Sequence, residues 1–158
     1  MINFEDKMKK QLSEHVQNVL EICSEVAYEY GYKIYLIGGV VRDLYLAKEI
    51  FDIDIIVEGN AIDFCHKLAD KKLCRIVRVQ EDLKTAKVLF DKSLEIDFAS
   101  TRQEFYPQKG HLPVVSKLGC SLQEDVMRRD FTLNSLAVSL NKDDYGMLHD
   151  PNASMCCG

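Results

Sequence analysis

Residues 36–59, LIGGVVRDLYLAKEIFDIDIIVEG, set a glycine pair, an arginine and two closely spaced aspartates on a strand, helix, strand pattern. Leu36 and Ile37 close an apolar run. Gly38 and Gly39 then let the backbone turn tightly, because residues without Cβ reach dihedrals that others avoid. A short helix from Val40 points free N–H groups and the positive end of its dipole outward, which suits a phosphate, and Arg42 adds a formal charge. FDIDIIVE alternates polar and apolar from Phe51 to Ile55, so Asp52 and Asp54 share one strand face and Ile53 and Ile55 the other. Two carboxylates aimed at one spot repel each other, and a hard divalent cation such as Mg²⁺ keeps both ionised. The stretch reads as a nucleotide and metal site.

Each part has a plainer reading. An isolated Asp-x-Asp is more simply a solvated strand face, and a glycine pair a tight turn. Their conjunction with Arg42 is what favours a site. A dinucleotide fold is the rival, since Glu58 lies about 20 residues beyond Gly38, where a ribose-binding acid belongs. GxGxxG is absent, however, and aspartates in mid-strand fit poorly in a parallel sheet buried on both faces.

A chain of 158 residues is most simply one domain, able to bury roughly two-thirds of its unfolded surface. No apolar run approaches the length of about 20 residues that spans a bilayer. Residues 1–16 mix acids with lysines around no apolar segment, so no signal peptide is read and a cytoplasmic protein is expected, without a membrane partner. Six cysteines with neither CxxC pairs nor regular spacing argue against a zinc site and a disulfide framework. A net charge of −5 suits a catalytic module that leaves most nucleic-acid binding to other parts of an enzyme.

Leu12, Val16, Val19, Leu20, Cys23, Val26, Ala27 and Tyr30 recur at helical spacing, which predicts one helix over residues 4–30, ended by Gly31. Strands are predicted at 32–37 and 52–57, and a helix at 60–72 with Asn60 as its N-cap. Three further strands follow at 74–79, 85–90 and 94–98, with Asp91, Lys92 and Ser93 as a hairpin turn. Asp97 then joins the first two aspartates if its strand lies beside the second. Residues 101–119 read as a long functional or mobile loop.

Ser121 and Glu124 form a capping box for a short helix over 121–130, followed by another at 130–137 and by strands at 138–140 and 147–149. Arg128 and Arg129 either complement the end of their helix or offer cationic forks to a triphosphate. Asn134 lies one turn beyond Asp130 on the same face, so the pair can accept from ribose hydroxyls. His15, His66, His111 and His149 have no ligand spacing and read as surface residues. Tyr28, Tyr30, Tyr32 and Tyr35 read as packing or snorkelling side chains.

Taken together, GGVVRD with DID, then EIDFASTR, LPVV and SLQEDVMRRDFTLNSLAV strongly resemble the head domain of the class II tRNA nucleotidyltransferases, the CCA-adding enzyme and bacterial poly(A) polymerase family. The likeness runs over residues 32–150. IVEGNAIDF and STRQEFYP look most like the subgroup that includes A-adding enzymes. The resemblance implies an α+β fold, a nucleotidyltransferase (DNA polymerase beta-like) palm with a mixed sheet of about five strands backed by helices. It implies that Asp52, Asp54 and Asp97 hold two Mg²⁺ ions, Mn²⁺ being an alternative. Gly38, Gly39 and Arg42, with Arg128 or Arg129, would contact the phosphates of ATP or CTP, and Asp130 and Asn134 would read the ribose. The implied reaction is template-independent attack of an RNA 3′-hydroxyl, that of a tRNA above all, on the α-phosphate, with pyrophosphate leaving. The alternatives are a poly(A) polymerase acting on other RNAs and a nucleotide-binding fragment without catalysis.

The pattern departs from the family at Ala47, where glycine is usual, and at Glu81 and Leu83, where histidine and phenylalanine are expected. Residues 1–150 are expected to form the head and 151–158 a frayed or truncated tail, with the family's neck, body and tail domains absent.

Overall fold

The structure, a computed structural model, describes residues 3–50, 52–71, 73–91, 93–101 and 136–149, together with the backbone of 102–105 and 114–118. The long N-terminal amphipathic segment is two helices, α1 (Glu5–Gln11) and α2 (Glu14–Tyr30). Leu12 turns extended, and the Ser13 hydroxyl accepts from Val16 N–H at 3.2 Å as a new N-cap. Periodicity alone missed the break because Leu12 is buried in the same stripe as the α2 residues. Both helices pack against the core, so the apolar repeat runs through the interruption.

The next elements are β1 (Lys33–Ile37), α3 (Gly39–Tyr45), β2 (Ile53–Glu58) and α4 (Ala61–Asp70). After α4 the chain makes a meander of β3 (Cys74–Gln80), β4 (Thr85–Phe90) and β5 (Leu94–Ser100). A separate hairpin pairs β6 (Arg102–Phe105) with β7 (Val114–Leu118). Residues 101–119 are therefore not plain loop. Short β-branched and aromatic runs around the prolines were too brief to show a period. The strands β8 (Ala137–Ser139) and β9 (Leu148–His149) complete the described chain.

Among the described residues seven strands form one sheet in the order β3-β4-β5-β2-β1-β8-β9. Every pair is antiparallel except β2 with β5, so the sheet is mixed as expected but wider than the five strands anticipated. The two additions are β8 and β9, which extend the edge beyond β1. One face carries the alternating apolar set Ile34, Leu36, Ile53, Ile55, Val57, Ile96 and Phe98, packed with residues of α1 to α4. Phe64 of α4 is fully buried between Tyr32, at 5.3 Å between ring centroids, and Phe98, at 5.8 Å. Burying each such side chain is worth roughly 1.5–3 kcal/mol. Period-two alternation then sends Asp54 and Asp97 to the opposite face, where Tyr35, Ile56 and Ala137 form a second, smaller buried cluster.

The end of α3 carries a conformational cost. Lys48 N–H donates to Asp43 carbonyl at 2.9 Å and Ala47 N–H to Leu44 carbonyl at 3.3 Å, the paired bonds of a Schellman motif. Ala47 occupies the left-handed position of that motif with φ 56°. Its Cβ makes this unfavourable by about 1–2 kcal/mol. The substitution Ala47→Gly is expected to raise stability by about 1 kcal/mol, read as a melting temperature about 2–4 °C higher.

Candidate active site

β1 runs apolar and β-branched into Gly38, which takes φ 77° and ψ −145°, a region closed to side chains with a Cβ. The chain then reverses into α3 and returns along β2, antiparallel to β1, so that Ile37 pairs with Asp54. An added Cβ on Gly38 would sit 3.5 Å from Asp54 Oδ2, which places the glycine turn directly against that carboxylate. Gly39 opens α3, and an added Cβ there would meet Arg42 Nη2 at 3.3 Å. Arg42 therefore folds back over the turn. Its Nε donates to Asp43 Oδ1 at 3.2 Å while the side chain stays substantially exposed.

β5 reaches the site from the other side. It pairs in parallel with β2, and Asp97 is the register partner of Asp54. Register partners on adjacent strands project to the same face about 5 Å apart. The condition set by the sequence, that the strand of Asp97 lie beside the second, is met. Both carboxylates line one cavity of about 260 Å³, together with Arg78, Gln80, Thr85 and Lys87. Lys87 lies 3.8 Å from Asp97 and 3.8 Å from Glu95. Such long, partly exposed ion pairs contribute little stability.

Asp52 precedes β2, is exposed and is not among the residues lining the cavity. Among the described residues no group of three histidine, cysteine, aspartate or glutamate side chains converges on one metal position. The structure thus brings together two of the three anticipated acids. Those two fit Mg²⁺, which binds through one or two carboxylates and completes its shell with water and substrate phosphates. Arg128, Arg129, Asp130 and Asn134 lie outside the described residues.

Arg78, Gln80 and Lys87 carry no sequence signal of a site role of their own. The available signal was the alternation of β4, in which Ala86, Val88 and Phe90 are buried and Thr85 and Lys87 occupy the other parity. Of the cysteines, Cys23 and Cys65 are buried and Cys74 half-buried, all as free thiols. Burial pushes the Cys74 thiol up to about 11 and the Cys23 and Cys65 thiols up as well, which disfavours nucleophilic or metal-binding roles. His149 is held at 2.8 Å by Asp144 and packs edge-on to Tyr35, and His66 is exposed. No helix among the described residues is long and apolar enough to cross a membrane.

Residues 34–153 match the Poly A polymerase head domain. An A-adding tRNA nucleotidyltransferase of Aquifex aeolicus is 44% identical over 118 residues, which are 75% of this chain and 14% of that protein. The apo form II structure of a CCA-adding enzyme superposes with a TM-score of 0.83 at 32% identity, over 94% of this chain and 34% of that one. A tRNA nucleotidyltransferase complexed with a primer tRNA and an incoming ATP analog gives a TM-score of 0.64 at 38% identity, over 81% of this chain and 34% of that one. The chain thus spans about a third or less of each of these relatives.

Proposed function

The chain belongs to the poly(A) polymerase head-domain family, and from that premise we propose that it is the catalytic head of an RNA nucleotidyltransferase. It transfers AMP or CMP from a nucleoside triphosphate to an RNA 3′-hydroxyl, that of a tRNA above all, in the cytoplasm. The observation that carries this reading is the register pairing of Asp54 with Asp97 on one face of the sheet, with the Gly38 turn against Asp54. The A-adding and tRNA-bound relatives support AMP and a tRNA end as the preferred pair.

In this reading the turn at Gly38 and Gly39 admits the triphosphate close to the backbone, and Arg42 supplies positive charge to it. Asp54 and Asp97, with Asp52, would hold two Mg²⁺ or Mn²⁺ ions, which would supply neutralisation of the charge that develops during the transfer. Arg128 or Arg129 adds a second cation on the phosphates. Asp130 and Asn134 accept from the ribose hydroxyls and so favour NTP over dNTP. Orientation by these side chains is the larger part of the catalysis, because phosphoryl transfer asks little covalent chemistry of a protein.

The test is incubation of the chain with Mg²⁺, α-labelled ATP or CTP, and a tRNA ending in CC or lacking all of CCA. Extension by one labelled nucleotide is the expected result, with ATP used on the CC end. Nucleotide binding without extension of either tRNA would make the chain a non-catalytic nucleotide-binding module.

A further inference from the structure

The register pairings place a single row of residues across the face that carries Asp54 and Asp97. Ile37, beside the glycine turn, pairs with Asp54, Asp54 with Asp97, Asp97 with Lys87, and Lys87 with Arg78. Strands are about 4.7–4.9 Å apart, so the row runs from the turn through two acids to two cations. The last step depends on an irregularity. Between Ile76 and Arg78 the β3 register shifts, which sets Arg78 opposite Lys87 in place of Val77. A bulge of this kind re-aims a side chain, and here it makes two cations neighbours on the wall of the cavity that holds Asp54 and Asp97.

The attacking and leaving oxygens of phosphoryl transfer lie roughly in line. With the triphosphate at the Gly38 and Arg42 end, the acceptor strand enters from the opposite end, over β4 and β3. That strand is a polyanion approaching two carboxylates in a chain of net charge −5. Lys87 and Arg78 offset the repulsion there. Lys87 makes only 3.8 Å contacts with its acidic neighbours and Arg78 is exposed on the edge strand, so both charges are accessible to a phosphate. We propose that Arg78 and Lys87 form the subsite that holds the phosphodiester backbone of the acceptor RNA next to its 3′-hydroxyl. The inference rests on the nucleotidyltransferase reading and adds the position and residues of the acceptor site.

The experiment compares the chain with its R78Q/K87Q variant. The probes are a fluorescein-labelled single-stranded RNA 12-mer ending in CC, read by anisotropy over a salt series, and labelled ATP in a separate titration. The variant is expected to lose about tenfold in RNA affinity and about 1.4 in the slope of log K against log salt, two phosphate contacts of a single strand. Its ATP affinity is expected to stay within twofold. An unchanged RNA salt slope overturns the subsite, as does a wild-type chain that binds ATP but not the RNA. A fall in ATP affinity equal to the fall for RNA also overturns it and gives the two cations to the triphosphate. The tRNA extension assay judges the parent reading separately, so an active chain with an unchanged slope in the variant rejects the subsite alone.

Discussion

Asp54→Asn is expected to lower nucleotide transfer by about a thousandfold, the loss typical when one preorganised charge is removed from a reacting centre. The amide keeps the shape of the side chain and removes its charge, and Asp54 lies between the glycine turn and Asp97, where no other described carboxylate can replace it. Mn²⁺ affinity, read by electron paramagnetic resonance, should fall together with the rate. Melting temperature without metal should shift by no more than about 2 °C, since the amide keeps the size of the side chain and a carbonyl oxygen that still accepts hydrogen bonds. A variant that melts far below the parent in the absence of metal would make Asp54 a structural residue.

Gly38→Ala should damage both the fold and the site. At φ 77° and ψ −145° a Cβ is strained wherever it points, which costs about 1–3 kcal/mol, or a melting temperature lower by about 2–12 °C. The new methyl would stand 3.5 Å from Asp54 Oδ2, in the space between the turn and the carboxylate, so ATP affinity should fall by about tenfold or more. Gly31→Ala is the control. Gly31 also has positive φ, 78°, but lies in the ordinary left-handed region with nothing within 4 Å of an added Cβ. It should cost only about 1 kcal/mol and leave ATP affinity unchanged. Equal ATP affinities for the parent and Gly38→Ala would remove the turn from the nucleotide site.

The sequence was most legible where one residue type satisfies a local physical need. Asn60 was read as an N-cap, and its side chain accepts from Ile62 N–H at 2.9 Å. The alternation of Leu94, Ile96 and Phe98 against Glu95 and Asp97 was read as one strand with two faces, and the burial pattern is that alternation. The unusual residue at position 47 also had a structural meaning, since it occupies a left-handed C′ position where glycine is preferred. Two features depended on non-local pairing and were not legible. The sheet's width rests on β8 pairing with β1 across most of the chain, and Arg78 faces Lys87 only because of a register shift between two strands. The β6 and β7 hairpin escaped for a third reason, the prolines and glycines in residues 101–119 leaving no clear period.

The parallel pairing of β2 with β5 has a bearing on how the molecule acquires its chemistry during biosynthesis. Asp54 and Asp97 are separated in the chain by α4 and by the β3 and β4 hairpin, and loop closure opposes a contact of that span until the intervening elements are formed. During synthesis β1 and β2 are both complete before the meander begins, whereas Asp97 is added only with β5 at its end. The pairing of the two acids therefore waits on β5, and a nascent chain interrupted within the meander would carry the glycine turn without its acidic counterpart from that strand.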